Sequence, residues 1–166
     1  MNNVIASLVA VIITLVLVAG AIEIGETALA QHQAAKAITE LEMIRQAAND
    51  LAASQGGYDN IGWNQLVTSG GIPPEMEGGL DPWSGGIGVQ PIWCSPCLGY
   101  EVWFTQVPDA ACVALGSYAP GNSSGNWTYG GVYINGSGWN WGQPSAGWIT
   151  ANCSSGWNTI YWIFTD

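Results

Sequence analysis

Residues 4–22 read VIASLVAVIITLVLVAGAI, and this stretch decides how the rest of the chain is read. Val, Ile, Leu and Ala are interrupted only by Ser7, Thr14 and Gly20. At about 20 residues the run is long enough to cross a bilayer as one helix. A secretory signal peptide would need a basic segment ahead of the apolar one. Met1, Asn2 and Asn3 offer no Lys or Arg, so that reading is weak. The same lack of basic flanks leaves the membrane orientation unset.

Working outward, the helical pattern continues. From Glu23 to Ser54 there is no Pro, and Gly25 is the one Gly. Apolar residues recur at Ala34, Ala37, Ile38, Leu41, Ile44, Ala48 and Leu51, spacings of three and four that mark one helical face. Glu40, Glu42, Gln46 and Asn49 are assigned to other faces, and Glu42 can pair weakly with Arg45 three residues on. Gly56-Gly57 supplies a stop signal. The pattern predicts a helix over residues 1–54, roughly 80 Å long at 1.5 Å per residue. Residues 1–25 form its apolar half and 26–54 its amphipathic half.

Residues 55–166 read as a β-rich head. A turn zone runs from Gln55 to Pro82, with a short helix at Asn64–Val67 and Pro73-Pro74 blocking regular structure. Strand-like runs follow at Ile87–Ile92, Tyr100–Gln106, Gly131–Asn135 and Thr159–Phe164. Otherwise the segment from Gly121 to Gly156 is Gly/Ser/Asn/Trp-rich and reads as almost strandless. The fold class is therefore α+β: a long N-terminal helix packed on a small antiparallel sheet.

Charge narrows the function classes. Of 166 residues only two are basic, Lys36 and Arg45, against 12 acidic ones, for a formal net charge of −10. That balance leaves no footprint for phosphate recognition, so no direct nucleic-acid binding is expected. No charged side chain occurs from Ala110 to Thr165, so much of the head presents uncharged hydrogen-bonding groups. Such a surface loses charge repulsion between copies and suits self-association or glycan decoration.

Catalytic readings find little support. His32 is the single histidine and falls on the long helix. No Ser-His-Asp or Cys-His set exists around it. Glu75 and Glu77 share one Pro-led loop and read as solvated carboxylates. Four cysteines, Cys94, Cys97, Cys112 and Cys153, read as disulfides in an exported chain, with three pairings open. Cys94-Ser95-Pro96-Cys97 is a CxxC, but no helix pattern follows it, which favours a loop staple over a redox pair. Zinc would need two further ligands at paired spacing, and no cofactor or metal is expected.

Ten Trp residues are harder to dismiss. Trp and Tyr among Asn and Gly can stack on sugar rings, whereas the plainer reading makes them core and subunit contacts. Trp162 reads as core. Trp139, Trp141 and Trp148 sit in loop-like sequence and are the candidates for surface contact. Asn122, Asn126, Asn135 and Asn152 begin Asn-x-Ser/Thr sequons, of which the first three are taken as possible glycan positions.

The order of motifs resembles type IVb pilins of the PilS class. Leu66-Val67-Thr68-Ser69-Gly70-Gly71-Ile72-Pro73-Pro74-Glu75-Met76 resembles the segment before the sheet in that family. Leu80-Asp81-Pro82-Trp83-Ser84-Gly85-Gly86 is similar to its turn into the first strand. Val107-Pro108-Asp109-Ala110-Ala111-Cys112-Val113-Ala114-Leu115 resembles its cysteine-bearing helix. Asn152-Cys153, followed by Ile160-Tyr161-Trp162-Ile163-Phe164, resembles its second cysteine and final strand.

The resemblance implies a non-enzymatic filament subunit, held in the inner membrane before assembly and extracellular afterwards. Val4, Ile5, Leu8, Val11, Ile12, Leu15, Val18 and Ile22 would then form the filament core of a helical homopolymer. It implies a Cys112–Cys153 disulfide, leaving Cys94 with Cys97. It also implies Met1 as the processed, N-methylated terminus, with a prepilin peptidase and pilus assembly machinery as partners. The family usually carries Glu at the fifth mature position; Ile5 stands there, which keeps a minor or tip subunit in view. Two rivals come from other classes. One is a membrane-anchored carbohydrate-binding module using the Trp loops. The other is a thiol-disulfide enzyme using Cys94 and Cys97.

Overall fold

A computed structural model describes the backbone of residues 2–93, 98–119, 128–138 and 140–165. Within these ranges side chains are described from Ala28 onward, except at 93, 98, 128 and 129. The first element, α1 (Asn2–Gln55), is one helix across the predicted span. The filament-core expectation at Val4, Ile5, Leu8, Val11, Ile12, Leu15, Val18 and Ile22, and that at Met1, lie outside the described side chains. Among the described residues no helix is long and apolar enough to cross a membrane.

The amphipathic half packs as its spacing requires. Ala34, Ala37, Leu41, Ile44 and Ala48 are buried, with Ile38 and Leu51 partly so. His32 is exposed. Glu40 departs from expectation: it is 4% exposed, on the buried face. Its position, three after Ala37 and four before Ile44, puts it on the core stripe whatever its charge. Gly56 leaves the helix at φ 78°, the left-handed geometry of a C-terminal stop.

The turn zone carries α2 (Trp63–Thr68) and a 3-10 turn at Pro74–Met76. The second of these replaces the irregular stretch expected at Pro73-Pro74. Pro74 opens the turn, where a missing N–H costs nothing. Met76, Ile72 and Leu66 are buried beneath. Asp81 then closes the entry to the sheet, its Oδ1 accepting from Trp83 N at 2.9 Å and Gly85 N at 2.8 Å. Gly85 is needed there: a Cβ would lie 1.9 Å from the Thr105 carbonyl oxygen.

The sheet has five antiparallel strands, β1 (Ile87–Trp93), β2 (Leu98–Pro108), β3 (Thr128–Ile134), β4 (Asn140–Trp141) and β5 (Trp157–Thr165). Their order is β1-β2-β5-β3-β4, so the C-terminal strand lies at the centre. Two helices complete the head: α3 (Asp109–Gly116) and α4 (Ala146–Asn152). Among its described residues, the stretch from Gly121 to Gly156 thus holds two strands and a helix. Ser145 caps α4 by accepting from Trp148 N at 3.3 Å.

The core fills the space between α1 and one face of the sheet. Tyr100, Val102 and Phe104 of β2 and Ile160, Trp162 and Phe164 of β5 alternate into it. Their rings interlock: Phe104 meets Trp162 edge-on at 5.4 Å, and Tyr100 stacks on Phe164 at 5.1 Å.

Candidate functional site

Three parts of the head bear on function: the clamp on α1, the disulfide-closed segment and the outward face of the sheet. The clamp joins apolar packing to a few buried hydroxyls. Tyr100 donates to the Arg45 carbonyl at 3.3 Å and to Asn49 Oδ1 at 3.2 Å. Burial pushes its hydroxyl well above the ordinary range, so it stays a donor. Tyr118, just beyond α3, donates to Glu42 Oε1, and Arg45 grips Glu42 Oε2 at 2.6 Å. The predicted Glu42–Arg45 pair thus belongs to a three-residue link between α1 and the head. Gln33 Nε2 reaches the Pro82 carbonyl at 3.3 Å. Beside the clamp, a cleft of about 450 Å³ opens between α1 at Met43, Ala47 and Leu51 and the loop Ser69–Gly71.

Cys112, buried on α3, bonds Cys153 at the end of α4, with Cα atoms 5.9 Å apart. The bridge spans 41 residues and contributes roughly 4 kcal/mol in the loop-entropy account. It closes the segment that supplies β3, β4 and α4. The pairing implied for Cys94 and Cys97 lies outside the described residues.

A polar hub that sequence reasoning missed sits beside the bridge. Asn158 is 1% exposed. Its Oδ1 accepts from Ser154 N at 2.8 Å and from Asn135 Nδ2, while its Nδ2 donates to the Val107 carbonyl at 3.1 Å. Asn135 sits in the turn after β3 at φ 50°, donates also to the Asn152 carbonyl at 3.0 Å, and accepts from Thr159 N at 2.9 Å. Asn135 is exposed, but the amide nitrogen that a glycan would use is already engaged in two hydrogen bonds. Asn122, Asn126 and Trp139 lie outside the described residues. Trp141 is 61% exposed, whereas Trp148 is partly buried against the core.

The outward sheet face brings other aromatic residues into register. Trp103 on β2 lies opposite Tyr161 on β5, which lies opposite Tyr133 on β3. Ring centroids are 5.9 Å apart for Trp103–Tyr161, tilted by 30°, and 5.3 Å for Tyr133–Tyr161, edge-on at 76°. Trp103 also crosses onto β1: a Cβ on Gly88, its register partner, would fall 1.9 Å from the indole ring. The indole ring therefore covers the glycine.

Two register pairs along, on the same face, Glu101 and Gln90 lie opposite each other, and Gln90 Nε2 donates to Glu101 Oε1. Glu101 is 8% exposed, and its other oxygen accepts from no described donor. Desolvation holds this carboxyl above the ordinary Glu range against the opposing Gln90 bond. Burial also raises the Tyr161 hydroxyl, with the Glu101 charge adding to it. The aromatic row was within reach of the sequence as residues of one parity in three strands, but only the strand order makes it a row. Among the described residues no group of three His, Cys, Asp or Glu is placed to hold a metal ion.

The family model described as PilS N terminal matches residues 29–165, from within α1 to the end of β5. Neither a curated protein nor a solved structure matches the chain.

Proposed function

The chain belongs to the PilS N terminal family, and from that premise we propose that it is a structural subunit of a type IV pilus-like extracellular filament, of the type IVb class. The observation that carries the reading is the union of one long helix with a disulfide-closed α+β head. The head's described contacts with α1 run from Gln33 to Ala52. The apolar run Val4–Ile22 precedes that clamp in sequence. It needs another burial: lipid before assembly, and the helices of neighbouring copies afterwards. Exchanging one apolar environment for another never exposes the run to water. Residues 1–54 then act as membrane anchor and polymerisation element, and residues 55–166 as the displayed head. With Ile5 where a Glu is usual, docking relies on helix packing and on neutral groups such as Asn2, Asn3 and Ser7.

Electron microscopy of sheared surface material, with mass spectrometry of its subunits, tests this. Thin uniform fibres built mainly of this chain, beginning at N-methylated Met1, are the expected outcome. Recovery of the chain only in membranes, with no fibre, would sink it.

A further inference from the structure

We propose that the outward face of the sheet is a binding site for a neutral glycan, with Trp103 and Tyr161 as its stacking floor and Glu101 with Gln90 as its polar edge. A pyranose ring offers C–H groups on one face and hydroxyls around its rim. Recognition therefore calls for a flat aromatic surface bordered by a strong acceptor and an amide. The four residues supply both within adjoining registers of β1, β2 and β5. The Trp103 indole occupies the space that a side chain on Gly88 would take, and the residue stays partly exposed on this face. Tyr161 extends the floor at 5.9 Å, and Tyr133 stands nearly upright beside it as a wall.

Packing of the indole on Gly88 is by itself explained as cover for a glycine in an edge strand. The carboxylate is not. Glu101 is more than nine-tenths buried on this face and holds one hydrogen bond from Gln90 on Oε1, while Oε2 is not among the buried atoms that lack a partner and so meets the outside. That oxygen can accept a charge-assisted hydrogen bond from a ligand hydroxyl in place of water, at the rim of an otherwise dry surface. Gln90 is exposed and offers its amide beside it. A net charge of −10 selects the class: anionic sugars are repelled, so the ligand is a neutral oligosaccharide. The site requires no filament and is independent of the polymerisation reading.

The test uses the full chain in a polyoxyethylene detergent, since glucoside or maltoside headgroups would themselves compete. Neutral gluco-, galacto- and manno-oligosaccharides, with a sialylated one as control, are titrated and followed by calorimetry and saturation-transfer NMR. At least one neutral sugar should bind and the sialylated one should not. Glu101→Gln and Trp103→Ala should each weaken binding about tenfold or more, and Trp141→Ala should leave it unchanged. Glu101→Gln decides the matter if Trp103→Ala fails to fold: it is isosteric, and its amide oxygen can still accept from Gln90. Failure of every neutral sugar to bind at about 10 mM would overturn the proposal. So would binding that follows Trp141 or Trp148 instead, or a Trp103-dependent self-association that marks the face as a subunit contact.

Discussion

The two faces of the sheet are built from the same strands and the same residue types, yet they do different work. On the inner face Tyr100, Phe104, Trp162 and Phe164 are at most 3% exposed and interlock beneath α1. On the outer face Trp103, Tyr161 and Tyr133 lie one position away in the chain and stay half-buried. Aromatic content says nothing about this division; strand parity does. The inner rings close a core, whereas the outer ones stay partly open at the surface beside the Glu101 carboxylate.

The largest effect should come from truncating each face in turn. Trp162→Ala removes a fully buried ring and should cost about 3–5 kcal/mol of stability. Trp157→Ala, outward and 65% exposed on the same strand, should stay within about 0.5 kcal/mol. Denaturant titration of the full chain in detergent measures both. Equal losses would break the division between faces. Trp162 Nε1 is buried without a partner, so Trp162→Phe should cost clearly less than the alanine variant.

A smaller effect isolates the outer face. Gly88→Ala places a methyl where the Trp103 ring lies, 1.9 Å from its nearest carbon. The indole must swing off β1, at a cost of about 1–3 kcal/mol. The inner face should be untouched: near-ultraviolet dichroism from the core rings should persist while Trp103 gains exposure to a fluorescence quencher. A native quenching pattern in this variant would show that Trp103 is not held against Gly88.

Much of this was legible in the sequence, for physical reasons. The helix stripe and four of the strands follow from periodicities of 3.6 and 2. The Cys112–Cys153 bond was implied only by family resemblance, because loop length alone permits three pairings. Helix α4 escaped notice because Gly147, Ile149 and Thr150 are poor helix formers, although Ser145 was a readable cap. Glu40 was assigned outward on charge when its position put it inward. The outer row is hidden in sequence because its residues stand on three separate strands, whereas Trp139, Trp141 and Trp148 cluster in one loop-like segment. Register between strands far apart in sequence, with β5 central, is set by tertiary packing that no local pattern reveals.

The smallest effect compares carboxyls on the two sides. Glu40 and Asp81 lie on the helix side, and Glu101 on the outward face; burial is the leading cause that raises all three. Lys36, 3.6 Å from Glu40, only partly offsets that cost, and the Asp81 charge adds to it. A carboxyl whose folded pKa exceeds its unfolded one binds its proton more tightly when folded. Between the two values the folded state carries more protons, so stability falls as pH rises and is regained as pH falls. The chain should therefore become more stable on acidification from neutrality toward the ordinary values of 4.5 for Glu and 3.8 for Asp. This is opposite in sign to the usual loss of paired carboxylates. Glu101→Gln should raise stability at neutral pH and flatten its share of the slope without disturbing the helix clamp. Glu40→Gln should do the same from the other side. Thermal midpoints measured from pH 7 to pH 4.5 separate the two contributions, and a wild-type midpoint that falls across this range would refute both.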